Sequence, residues 1–218
     1  SNDIESQDCY FLNGDNMGHI ENEGQDFSSF VDTCVSRFAT KTPFFYVRGN
    51  HETRGKFARQ LKKYLDLPND QYYYAFTLGP VRFLVLDGGE DKPDSSKEYS
   101  GLVDFDNYRM EELEWLKKEV GSDAFRQASF RIVIIHMPII RNKKNWYGMA
   151  FLAEHFGPVI EKAGIDLMIS GHTHRNAWIA SDKSGFGYPV MISSNNNYIE
   201  AVVSKKQISI DLRAYDGA

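Results

Sequence analysis

Short apolar runs rich in β-forming residues alternate with apolar positions at helical spacing along most of this chain. Residues 9–13, 44–47, 72–78, 81–86, 130–135 and 165–169 read as strands, the third and fourth joined through Gly79-Pro80 as a hairpin. Phe27, Phe30, Val31, Cys34, Val35 and Phe38 recur at helical spacing, with Ser28 or Asp26 able to cap the start. Residues 56–65 read as a helix that ends by Pro68, and 108–120 as an amphipathic helix closed by Gly121. A further helix near 150–163 contains Pro158, which kinks or divides it. Between these elements, residues 88–107 are rich in Asp, Ser, Gly and Lys and read as a long surface loop, a kind that is usually functional or mobile. The last third is a run of short strands at 177–180, 188–193, 198–203 and 208–212. Periodicity alone therefore predicts an α/β protein with an antiparallel end.

Composition narrows this only a little. A length of 218 residues suits one domain, residues 1–218, with a substantial core. The net charge of −5 provides no broad basic field, so no nucleic-acid partner is expected. No run approaches the roughly 18 apolar residues of a membrane helix, so no membrane span is expected. Cys9 and Cys34 sit in apolar or amphipathic runs and read as buried free thiols. They leave the compartment open, and the sequence carries no signal peptide to settle it. Oligomeric state is equally open.

Chemistry-bearing residues cluster at the ends of the predicted strands. Gly14-Asp15, Gly49-Asn50-His51-Glu52, His136 and Gly171-His172-Thr173-His174 each follow a short apolar run. Each supplies a nitrogen or oxygen that a borderline-soft divalent metal accepts. One such segment is a weak signal, since a lone histidine at a strand end is more often structural. Four in order form a strong one.

That ordered set resembles the calcineurin-like metallophosphoesterases, over residues from about 9 to 197. The motifs are specific to the superfamily and not to a substrate. The resemblance implies a four-layer α-β-β-α sandwich, two mixed β-sheets flanked by helices. It also implies hydrolysis of a phosphomonoester or phosphodiester by a bridging hydroxide between two divalent transition-metal ions (Mn, Fe or Zn), about 3.5–4 Å apart. Asp15 would bridge the ions, Asn50, His136 and His172 would hold the second, and His174 the first. Asp15 and His51 would be the catalytic pair, with His51 protonating the leaving oxygen, a role that suits an imidazole. Glu52 is placed to orient His51 by a hydrogen bond.

Two departures from the family pattern refine the expectation. The family opens with an Asp-x-His motif, but Asp3-Ile4-Glu5 lies only twelve positions before Asp15 and has Glu5 where the His would be. The domain is therefore expected to lack its first strand and helix, and to hold one ion well and the other weakly. The motifs are closest in style to purple-acid-phosphatase-like members, and the stretch around Glu114-Trp115-Leu116 is also similar. Yet Gly18 occupies the place of their iron-ligating Tyr, so no ferric centre is expected.

Other residues have weaker claims. Arg141 and Trp146 follow the His136 strand and are candidate contacts for a small phosphorylated substrate, by charge and by stacking. The bland reading of that segment is a solvated loop. His19, four residues after Asp15, is a candidate for the site mouth, His155 a surface or packing residue, and Asn195-Asn196-Asn197 a turn. Exonuclease activity is disfavoured by the acidic balance. The alternative to catalysis is a metallophosphoesterase-fold scaffold or binding protein, but such a protein would be expected to have replaced ligands. Asp15, Asn50, His136, His172, His174 and His51 are all present.

Overall fold

Strands and helices stack in four layers in the computed structural model, which describes residues 7–215. Asp3, Ile4 and Glu5 lie outside the described residues. In chain order the strands are β1 (Tyr10–Asn13), β2 (Phe44–Val47), β3 (Tyr74–Leu78), β4 (Val81–Leu86), β5 (Phe130–Ile135), β6 (Leu167–Ser170), β7 (Ala177–Ile179), β8 (Val190–Ile192), β9 (Asn197–Val203) and β10 (Ile208–Ala214). Six of them form one mixed sheet in the order β3–β4–β5–β6–β8–β7. Its inner four strands are parallel, and β3 and β7 are antiparallel edges.

β5 shows why this sheet is central. Val133 and Ile135 face one core with the helices, while Ile132 and Ile134 face a second core, and all four are buried. A parallel strand covered on both faces reads as a nearly continuous apolar run, as Phe130–Ile135 does. The outer core is closed by the helices Phe105–Glu119, Asp123–Gln127, Tyr147–His155 and Gly157–Ala163.

The facing layer is split. β1 and β2 form a parallel pair and β9 and β10 a hairpin, with no ladder between the pairs among the described residues. Both pack on the central sheet through Phe11, Phe45, Ile199, Val203, Ile208 and Ile210. Outside β1 and β2 lies a helical stretch over residues 23–39, which packs with Leu61 and Tyr72 around Phe30 and Tyr46.

Several helix boundaries differ from the periodicity. The first helix begins at Glu23 and is capped by Asn22, whose side chain accepts from the Gln25 N–H while Gln25 bonds back to the Asn22 N–H. That polar opening turn has no apolar spacing to reveal it. Residues expected as a helix at 56–65 form instead tight 3-10 turns over Ala58–Tyr64, burying Ala58 and Leu61 three apart. The helix expected at 108–120 starts at Phe105, because the Asp94 carboxylate accepts the N–H groups of Phe105 and Asp106, both at 3.0 Å. Near Pro158 the chain divides into two helices that meet at Phe156. The 88–107 loop is not mobile surface at its root. Glu90 and Asp91 are buried, Arg54 grips Glu90 at 2.7 Å, and the fully buried Arg109 donates to the Gly88 and Glu90 carbonyls. Among the described residues no helix is long and apolar enough to cross a membrane.

Candidate metal centre

Beyond the C-terminal ends of β1, β2, β5 and β6, where open α/β sheets bind ligands, the conspicuous segments converge. Asp15, His136 and His172 each place a ligand atom within 4.8 Å of the other two. Asn50 joins them, its Oδ1 accepting from His172 Nδ1 at 3.0 Å. The rings of His136 and His172 stand nearly perpendicular, with centroids 5.2 Å apart.

A second contact sets the tautomer of His136. Its Nδ1 donates to the Asn13 carbonyl at 2.8 Å, so that in the neutral ring Nε2 presents its lone pair to the centre. Asp15 Oδ2 lies 3.0 Å from that nitrogen, yet the buried Nε2 has no well-aligned hydrogen-bond partner. An orphaned buried imidazole nitrogen beside a carboxylate and a second imidazole fits a divalent cation.

The turns that carry these groups are unusual. Asp15 (φ 56°), His172 (φ 65°) and His174 (φ 55°) all adopt the left-handed conformation that non-glycine residues avoid. Gly49 is required by close approach, since a Cβ there would stand 2.3 Å from the Asp15 nitrogen.

Electrostatics at the centre are strongly coupled. Burial works to raise the Asp15 carboxyl, but contact with His136 and the backbone N–H and charge of His51 outweigh it and hold Asp15 at about 2. Burial pushes His172 down to about 4, helped by the charge of His136. Burial also works against a charged His136, but the Asp15 carboxylate overcomes it and raises that imidazole. At neutral pH the centre therefore combines an ionised carboxylate with a neutral His172.

The other expected residues take varied places. His51 is half-exposed, with Nδ1 donating to the Gly18 carbonyl at 3.1 Å and its backbone N–H donating to Asp15 Oδ1 at 3.1 Å. Glu52 does not bond to the His51 ring. Its buried carboxylate accepts instead from the backbone of Asp15 at 2.9 Å, Asn16, Met17 at 3.4 Å and Gly49 at 3.0 Å. His174 is exposed and lies outside the close group, although its charge is felt by His172. Trp146 is 60% exposed and stands edge-on to His172, centroids 5.5 Å apart, so it overhangs the centre. Arg141 lies over the Phe186 ring at 4.6 Å. His155 packs on Phe151, His19 is exposed, and Asn195 and Asn196 form a turn. Cys34 is buried, Cys9 half-buried, and both are free.

One network escaped the sequence reading. Arg48, just before Gly49, lies over the Tyr72 ring at 4.0 Å and pairs with the buried Asp87, which also accepts from Tyr108 Oη at 2.6 Å. The available signal was a cation directly after a buried strand, a place that demands a partner.

Solved structures with similar folds include the purple acid phosphatase PPD1 from yellow lupin (Lupinus luteus) seeds, with a TM-score of 0.67 and 13% identity. That match covers 98% of this chain and 45% of the lupin chain, so this chain spans less than half of its length. GAP50, described as the anchor in the inner membrane complex of Plasmodium, gives 0.61 at 18% identity, covering 96% of this chain and 69% of that one. PhoD gives 0.54 at 14% identity, covering 88% and 52%. At such identities the likeness is one of fold. No curated protein matches the chain. Residues 2–176, however, match the calcineurin-like phosphoesterase family, and the chain belongs to it.

Proposed function

We propose that this chain, as one domain, hydrolyses a phosphomonoester or phosphodiester with two divalent transition-metal ions held by Asp15, Asn50, His136, His172 and His174. The convergence of Asp15, His136 and His172 on one point, with His136 Nε2 orphaned there, carries the reading. Bound ions supply positive charge against the phosphoryl oxygens and make water nucleophilic near neutral pH. Mn, Fe(II) or Zn suits a set of imidazole, carboxylate and amide donors.

The protein's own groups do the rest. Asp15, held ionised at neutral pH, would be the carboxylate shared between the ions. Asn50 and a neutral His172 add donors without adding negative charge, so the site keeps its attraction for a phosphate. His51, tied to Asp15 through its backbone and to Gly18 through Nδ1, protonates the leaving oxygen through Nε2. Trp146 offers an exposed ring face beside His172 to an apolar leaving group. Arg141, which lies over the Phe186 ring, is a further candidate to hold the phosphate by charge. A scaffold without catalysis is the weaker reading, because scaffolds have no need to keep a buried imidazole nitrogen without a hydrogen bond beside a carboxylate.

The test is metal content after Mn²⁺ loading and desalting, with turnover of p-nitrophenyl phosphate and bis-p-nitrophenyl phosphate. His136→Ala is expected to lose bound metal and hydrolysis together. Unchanged turnover in that variant, or no metal in the parent chain, overturns the assignment. The ratio of the two substrates' rates separates monoesterase from diesterase.

A further inference from the structure

We infer that Glu52 is a positioning residue that locks the two ligand-bearing turns, residues 14–17 and 49–52, into one body and so sets the affinity of the centre for its cation. The inference rests on the metal reading above. It starts from where the strand ladder stops. β1 and β2 pair in parallel from Tyr10 opposite Phe44 to Asn13 opposite Val47, and the candidate ligands Asp15 and Asn50 lie beyond that last pair. Among the described residues no strand hydrogen bond holds either turn.

Glu52 takes over that task. It is fully buried, where a carboxylate is costly unless its oxygens are bonded. Oε2 accepts from Asp15 N at 2.9 Å and Gly49 N at 3.0 Å, one donor from each turn. Oε1 accepts from Asn16 N and, at 3.4 Å, from Met17 N. Asp15 answers with Oδ1, which takes the His51 N–H at 3.1 Å. The lacing explains how Asp15 keeps its left-handed backbone at φ 56°. Its N–H has a strong acceptor in that conformation, and the strain is offset by a hydrogen bond of the charge-assisted kind. The short approach of Gly49 to Asp15 makes the same fit from the other side. Among the described residues the Glu52 carboxylate bonds to the backbone of Asp15 and not to its side chain, so its action on the cation runs through the backbone it holds.

Glu52→Gln tests this, because the amide keeps the volume but replaces one acceptor oxygen with a donor aimed at N–H groups. Two readouts are needed: Mn²⁺ affinity by calorimetry, and amide hydrogen exchange of the metal-free chain. The expected result is a loss of about 10–100-fold in Mn²⁺ affinity, the usual effect of removing a group that orients ligands. Asp15, Asn16 and Gly49 N–H groups should exchange faster, with the far-ultraviolet circular dichroism spectrum retained. As a control for stability alone, Ile160→Val in the distant helix layer should lower the melting temperature and leave Mn²⁺ affinity unchanged. If Glu52→Gln does not fold, Glu52→Asp reads the same quantities, with a smaller loss expected because both oxygens remain. Affinity within twofold of the parent overturns the inference. Should the parent take up no Mn²⁺, the metal reading fails on its own and exchange decides the lock: unchanged protection at Asp15 and Gly49 would end it.

Discussion

The central sheet and the layer facing it supply the close-set candidate ligands in equal measure, His136 and His172 from one, Asp15 and Asn50 from the other. Their construction differs. In the central sheet, the register of Ile134 with Ile169 carries β5 and β6 forward together, so that His136 follows one strand directly and His172 the other after Gly171. Both strands are buried between two cores, and ladder plus packing set the ligand positions. Among the described residues the facing layer consists of two unjoined pairs, and its candidate ligands stand past the end of a four-residue ladder. There, side chains replace the ladder: Glu52 grips the turns, and Arg48 ties the end of β2 to Asp87 at the end of β4. The lesson is that close-set side chains can be positioned by strand register or by buried polar side chains, and this chain uses both.

The strongest way to break the comparison is to cut the tie between the layers. Arg48→Ala leaves Asp87 buried and uncompensated, and is expected to cost about 3–5 kcal/mol in urea unfolding. A loss under 1 kcal/mol would mean that the facing layer holds its turns without that tie. Next comes a matched pair. Ile135→Ala in the doubly covered strand should cost about 3 kcal/mol, and Ile199→Ala in the half-covered hairpin about 1 kcal/mol. Equal losses would show that the split layer is packed as firmly as the sheet.

The gentlest probe is pH. Burial, reinforced by the charge of Asp87, raises the Glu112 carboxyl well above its ordinary value. The folded chain therefore keeps a proton that the unfolded chain releases near pH 4.5. Its contribution to stability is complete below that pH and is lost as pH rises toward the folded value. The slope is at most about 1.4 kcal/mol per pH unit. Glu112→Gln should flatten the stability profile above pH 4.5 while leaving Mn²⁺ affinity in place. An unaltered slope would assign the proton to another group in the network.

Much of the centre was legible along the chain, because metal donors announce themselves by chemistry and buried strands by continuous apolar runs. Asp15, Asn50, His136 and His172 were named from strand ends, and the structure brings them together. Glu52 was seen but given the wrong partner, since adjacency to His51 says nothing about where a side chain points. Its bonds run to Asp15 and Gly49, 37 and 3 residues away. Arg48 and Asp87, separated by 39 residues, left only half of a signal each. The Asn22 cap and the Asp94 bond to the start of Phe105–Glu119 were hidden because polar, exposed turns carry no period.

The sequence by itself determined the candidate donor atoms, the strands that deliver them and the family to which the chain belongs. These are local properties: an apolar run becomes a strand, and its end projects whatever residue follows. Only the tertiary structure decided that Asn13 bonds to His136 Nδ1 across 123 residues, that Asp15, His172 and His174 take left-handed backbone, and that the described residues of the facing layer divide into two pairs. Those features depend on which distant backbone groups meet in a buried space, and no local pattern encodes that meeting.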